Sequence, residues 1–420
     1  MDIRSITLFE NPQSPISGNV LNRAKQFNNR ASEAFQEAGY AVQTLRLAAP
    51  PYPLVLPELD SAVLLDYARE LETRALDAGF DYLSLGPALP SHPESYPMIP
   101  EVIAETEAVF LSGLLTDPSG GLSLPAVRAC GEIIHQLSGL DPHGFSNLFF
   151  AALGSVPPGA PFFPAAYQGE NQPCFALAIE GADLAVQAFQ GTSSFFTARR
   201  NLIQSLEEQA QRLTAAAQKV AEDLGIPFSG IDYSLAPYPE DDRSLGAALE
   251  KLGGFRLGEH GSLTAAAFLA DTIDRAAFPR TGFSGLMLPL LEDSRLAQRA
   301  QEGSLGIKDL LLYSAVCGTG LDTIPLPGNL EPGQISAVLF DLGALSCRLA
   351  KPLTARLMPI PGKKAGEPTT FDFPYFANSR ILDLDSSSLA GAFTQDGYLD
   401  LRPRTYHQRN NPDPNPKDRT

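Results

Sequence analysis

In the stretch SAVCGTGLDTIPLPGN, residues 314–329, Cys317 and Asp322 stand among glycines ahead of a proline-glycine turn. A thiol there can act as a nucleophile once ionised, and a carboxyl can move a proton in general acid or base catalysis. The preceding residues 306–316, GIKDLLLYSAV, have helical spacing and place Cys317 at a helix C-terminus. The partial negative charge of that end disfavours a thiolate. Gly318 and Gly320 would end the helix, so a buried cysteine at a helix cap is the competing reading.

A second set of residues suits an anion. His260 and Gly261 precede Ser262 and an alanine-rich run, GSLTAAAFLADTI; Ser262 is a good helix N-cap, and free amides at that terminus favour a carboxylate or phosphate. Lys363 and Lys364 lie on a glycine-bounded loop, PGKKAG, after a strand-like run. Plain capping and a solvated turn explain the same residues without a ligand. Three carboxylates sit beside turn residues: Asp232 in GIDYSLAPYP, Asp322 in GTGLDTIP and Asp372 in TTFDFPYF. Were two to converge, one would raise the pKa of the other and become an acid or base, whereas each alone can stabilise its own turn.

Other templates do not match. There is no GxxxxGK[ST] or GxGxxG phosphate loop, no GxSxG elbow and no HExxH. DLDSSSLAGAFT, residues 383–394, has Ser388 where a calcium loop needs glycine and Thr394 where it needs glutamate. The four cysteines have no CxxC spacing and the chain has five histidines, so no metal site is expected and no cofactor is identified.

The elements that must position these residues alternate. IRSITLF (3–9) reads as a strand, residues 19–40 as a helix and AVQTLRLA as a strand again, an opening that implies layered α/β architecture. Further helices are expected at 59–80, 100–138, 197–225, 244–253, 262–275, 286–302, 306–316 and 333–349, with strands at 81–86 and 175–180; 226–239 begins as a strand and breaks at its prolines, and 354–366 is a strand followed by the glycine-bounded basic loop. GPALPSHPESYPMIP, with five prolines, must be a loop. The domain is expected to span 1–401, with room for a sub-lobe boundary near 140–190. The polar tail 402–420 is expected to be disordered.

Composition narrows the partners. The chain has 420 residues, 44% of them hydrophobic and 19% charged, and a formal charge of -17. That charge, without a basic stripe, argues against nucleic acid and anionic membrane surfaces. No signal peptide is apparent, and apolar runs such as AVFLSGLL are shorter than the roughly 20 residues of a spanning helix. A cytoplasmic protein with reduced thiols is expected.

Five segments, GIDYSLAPYP, GSLTAAAFLADTI, GFSGLMLPLLEDSRLAQRA, YSAVCGTGLDTIPLPG and KPLTARLMPIPGKKAGEPTTFDFPYFANSRI, together resemble the domain of unknown function 711 family, also called uncharacterised protein family 0210. The likeness runs in order over most of the chain and is weaker before about residue 140. It implies one large α/β barrel similar to pyruvate formate-lyase-type glycyl radical enzymes: two five-stranded half-barrels surrounded by helices, with the 314–329 turn near an internal cavity. The radical motif of those enzymes is incomplete, since TQDGYLDL offers Gly397 and Tyr398 without the arginine and valine.

Two functions follow as expectations. One is a metabolic enzyme acting on a small anionic molecule, with Cys317 and Asp322 reactive and Asp232, His260, Ser262, Lys363 and Lys364 as ligand contacts. The other is a non-catalytic sensor of a carboxylate or amino acid in a degenerate enzyme cavity. Homo-oligomer formation is left open.

Overall fold

The structure is a computed structural model that describes residues 1–117, 121–169, 172–316 and 319–403. Its strands are β1 (Asp2–Phe9), β2 (Leu45–Ala48), β3 (Tyr82–Ala88), β4 (Val109–Leu114), β5 (Gly121–Ser123), β6 (Phe150–Gly154), β7 (Cys174–Glu180), β8 (Phe228–Ala236), β9 (Gly320–Pro327), β10 (Leu353–Ile360) and β11 (Tyr398–Asp400). Nine form one sheet in the order β8-β7-β1-β2-β3-β4-β6-β10-β9, while β5 and β11 make a separate ribbon. Six of the eight pairings in the large sheet are parallel; β1 with β7 and β6 with β10 are antiparallel.

Every residue of β4 and of β9 is buried, the pattern of strands covered on both faces. Helices supply the cover. The helix Phe195–Leu224 buries Ala198, Leu202, Leu206, Ala210, Leu213, Ala217 and Val220, spaced three or four apart, as one apolar stripe. Across the sheet a loop whose residues 160–168 are all buried needs partners for its backbone. Hydroxyls from the strands provide them: Thr7 Oγ1 donates to the Pro161 carbonyl at 3.0 Å and Ser84 Oγ to that of Ala166 at 2.7 Å.

Three expectations change. The α/β architecture is as expected, but among the described residues its strands form one nine-stranded sheet rather than two five-stranded half-barrels, and that sheet does not close into a barrel. Between the edges β8 and β9 runs segment 279–291, which has no regular strand but bonds to both. Ile231 N donates to Pro279 O at 2.7 Å, Met287 N to Ser234 O at 2.9 Å and Leu290 N to Asp322 O at 3.0 Å. Pro279 and Pro289 lack amides, and Gly282 and Ser284 have positive φ, so the segment cannot pair continuously. The helix expected over 286–302 starts only at Ser294, capped by Asp293. The helix expected over 100–138 is interrupted by β4 and β5, because a short apolar run buried on both faces has no helical or strand period to distinguish it.

No helix among the described residues is long and apolar enough to cross a membrane.

Candidate functional site

A cavity of about 440 Å³ opens where the parallel strands begin, within the size range of small-molecule sites. Its lining comes from the starts of β1 (Arg4), β2 (Arg46), β3 (Tyr82) and β4 (Phe110), from Asp322 on β9 and Arg356 on β10, and from Glu292 immediately after the segment between the edges. Phenylalanines make most of the remainder: Phe145 and Phe149 before β6, Phe162 and Phe163 from the buried loop, and Phe373 and Phe376 from the chain after β10.

The polar wall is ordered by ion pairs. Glu292 accepts Arg4 Nη2 at Oε2 (2.9 Å) and Arg356 Nη2 at Oε1 (2.8 Å). Arg356 Nε donates to Asp322 Oδ1 at 2.5 Å, and Arg4 Nη1 reaches Glu180 Oε2 at 3.2 Å. Glu180 also pairs with Arg243. Burial disfavours the charge on Arg356, but Asp322 and Glu292 outweigh it and hold the guanidinium protonated. Burial raises the pKa of Asp322, and the nearby Glu292 carboxylate adds to this against the pull of Arg356. A carboxyl so displaced, facing a cavity, can exchange a proton nearer to neutrality than an ordinary aspartate.

Arg46 is different. It is 8% exposed, and among the described residues it has no carboxylate in ion-pair range. Its Nε donates to Thr44 Oγ1 at 2.9 Å, and Thr44 Oγ1 in turn donates to the Arg4 carbonyl at 2.8 Å. The guanidinium carbon lies 5.1 Å from the Phe163 ring centroid and 5.7 Å from that of Tyr82. Aromatic contacts stabilise a cation through their faces and leave its N–H edge unused. Burial, with Arg4 and Arg356 nearby, pushes its pKa down to about 9, so it remains a cation at neutral pH.

The aromatic wall forms two groups. Phe110 lies 4.8 Å from Phe149, 5.4 Å from Phe163 and 5.2 Å from Tyr82 between ring centroids. Phe145 meets Phe371, Phe373 and Phe376. The last three belong to a loop whose ends are tied where Thr369 N donates to Ser379 O at 2.8 Å, with Asn378 bonded to both backbone groups of Phe371.

Of the residues singled out from the sequence, Asp322 lines this cavity. Cys317 lies outside the described residues. Asp232 is buried on β8 away from the lining, and its carboxylate accepts Ser234 N, Phe283 N and Ser284 N. His260 is exposed. Ser262 is not the N-cap, a place Gly261 takes; its Oγ donates to Glu259 O at 2.7 Å and accepts Gly258 N, closing the turn before the helix. Lys363 Nζ donates to Pro368 O at 3.1 Å, and Lys364 is exposed on the turn after β10. None of these last five residues joins the cavity lining. Among the described residues no group of three or more His, Cys, Asp or Glu is placed to hold a metal ion.

Arg4, Arg46, Glu292 and Arg356 were not anticipated. The signal of the three arginines is a charge inside an otherwise strand-like run, DIRSITLF, TLRLA and TARLMPI, and that of Glu292 is a carboxylate following the apolar run LMLPLL. A charge in such a run must either face solvent or find a buried partner.

The family model described as Uncharacterised ACR (DUF711) matches residues 1–379, a span that includes every residue lining the cavity. A UPF0210 protein of Pyrobaculum arsenaticum is 30% identical over 397 residues, covering 87% of each chain. One from Oenococcus oeni is 28% identical over 372 residues, covering 84% of this chain and 81% of its own. The chain therefore belongs to the uncharacterised DUF711 family, whose curated relatives carry the name UPF0210.

Proposed function

We propose that the cavity takes up a small organic anion on Arg46 and that Asp322 moves a proton on the bound molecule, making the protein a metabolic enzyme. The observation that carries this reading is a buried guanidinium with no carboxylate partner among the described residues, at the wall of a cavity large enough for a ligand. An arginine in that state favours a carboxylate, which it can hold through two parallel hydrogen bonds. Asp322 supplies the second half of the reading through its place in the same lining and its raised pKa.

A non-catalytic sensor is the second reading, and one observation favours it. Both oxygens of Glu292 are committed to arginines, and Asp322 is held by Arg356, as expected of a framework that orders a binding wall. The barrel-like reading of the fold belongs with these proposals: segment 279–291 would serve as the tenth element between β8 and β9, supported by its bonds to both edges.

Titration calorimetry with small carboxylates tests the binding step. Saturable binding that disappears in Arg46→Met is expected, and equal binding by that variant would remove Arg46 from the site. Recovery of the ligand unchanged after long incubation would favour the sensor over the enzyme.

A further inference from the structure

Resting on the anion-binding reading above, the geometry points to a narrower ligand class: we infer that the cavity selects a monocarboxylate whose body is an aromatic ring, with the carboxylate on Arg46 and the ring between the two phenylalanine groups.

The charge state of the ligand follows from pairing. Arg4 and Arg356 already hold carboxylates, whereas Arg46 holds none among the described residues, so one cation is available for one negative charge. A second carboxylate, or a phosphate dianion, would have to displace Glu292 or Asp322 from an arginine. An ammonium group meets a similar obstacle, since both oxygens of Glu292 and Oδ1 of Asp322 are occupied by guanidinium groups. A zwitterionic amino acid is therefore a poorer fit than the corresponding simple acid.

The body of the ligand follows from the wall. Phe110, Phe149 and Phe163 form a cluster with ring centroids about 5 Å apart, in tilted and edge-on contacts. Phe145 and Phe373 form the other, also edge-on. Such clusters accept a further ring edge-to-face or offset, gaining attraction beyond simple area burial. The flanking of Arg46 by Phe163 and Tyr82 keeps its free N–H edge next to the first cluster, so the acid group and the ring are satisfied within one small molecule.

The test is calorimetry on the full chain with 3-phenylpropanoate, hexanoate, glutarate, phenylalanine and inorganic phosphate. The expected result is binding of 3-phenylpropanoate about tenfold or more tighter than each of the others, the scale of a buried aromatic contact. Phe373→Leu should weaken 3-phenylpropanoate and leave hexanoate unchanged. This site is on a loop whose other rings remain, so the variant should fold. Tighter binding of glutarate, phosphate or phenylalanine, or equal binding of hexanoate, overturns the ring-bearing monocarboxylate while leaving anion binding intact. No binding by any of the five, or binding that persists unchanged in Arg46→Met, overturns both.

Discussion

Arg46 and Arg356 line the same cavity from β2 and β10, and among the described residues only Arg356 of the two has carboxylates to hold. The two guanidinium groups differ in what their removal should do. Arg356 closes a buried network, with Nε on Asp322 and Nη2 on Glu292. Among the described residues Arg46 has the Thr44 hydroxyl and two aromatic rings but no carboxylate in ion-pair range. A buried cation without a counter-charge opposes folding, and binding an anion relieves that opposition.

Arg46→Met should therefore stabilise the ligand-free protein. Methionine has a similar length and fills the space between Tyr82 and Phe163 without a charge to desolvate. A gain of about 1 kcal/mol or more is expected in urea denaturation, together with loss of any stabilisation by added carboxylate. A variant less stable than the parent would mean that the aromatic contacts and the Thr44 bond outweigh the burial of the charge.

Arg356→Met should act in the opposite direction. It leaves Asp322 and Glu292 buried side by side with one of their cations gone, and breaking a buried pair this way costs about 3–5 kcal/mol. Denaturation at pH 7 checks this. Part of the loss should return as the pH is lowered, because the two carboxyls can then take up protons and shed their repulsion.

Asp322 makes anion binding depend on pH with a definite sign. Its carboxylate faces the same cavity as Arg46, so protonating it removes a negative charge that opposes the ligand. Because its pKa is raised above the ordinary 3.8, this protonation begins at a higher pH than for an exposed aspartate. Carboxylate affinity should rise as pH falls through that titration, provided the ligand itself stays ionised. In Asp322→Asn, calorimetric affinity should be flat across the same range, and any turnover should be lost while binding survives.

Some of this was legible from residue order. The alternation of β1, the following helix and β2 was visible because those elements are amphipathic or half-buried, and Asp322 stood out by its glycine-rich surroundings. The arginine wall was not, because each of its members comes from a different strand and looks, in one dimension, like a lone surface charge. Arg4 and Glu292 are 288 positions apart and meet at 2.9 Å. One glycine of the same motif also acquires a reason. Gly320 opens β9 with φ +99°, and a Cβ there would stand 2.2 Å from the Thr354 carbonyl oxygen of β10. Close strand approach, not mobility, requires that glycine.

Gly320→Ala should accordingly destabilise by about 3 kcal/mol or more, combining a strained backbone with a clash that only β10 can relieve by moving. Because Asp322 and Arg356 lie on those two strands, the displacement should also weaken carboxylate binding. Thermal denaturation and calorimetry on the same sample check both effects. Stability lost with affinity intact would mean that the strands part without disturbing the cavity.

Asp232 offers a further test, away from the cavity. Its Oδ1 accepts Ser234 N at 3.0 Å, Ser234 Oγ at 2.6 Å and Ser284 N at 2.8 Å, while Oδ2 accepts Phe283 N at 2.7 Å. The carboxylate thus fastens segment 279–291, which carries Met287 into the cavity and leads directly into Glu292, to β8. Gly282 fits under it only for want of a side chain, since a Cβ would come within 2.1 Å of Oδ2. Burial pushes the pKa of Asp232 up to about 6 against these four hydrogen bonds. Between the ordinary value of 3.8 and about 6 the folded chain therefore keeps a proton that the unfolded chain has released. Stability from this group is full below that window and falls as pH rises through it. Asp232→Asn removes the titration but turns an amide N–H toward backbone donors. We expect it to lower stability at pH 7 by about 2 kcal/mol, to flatten the pH 4–6 slope and to loosen the hold on Glu292 enough to weaken carboxylate binding. An unchanged slope would place that titration elsewhere in the chain.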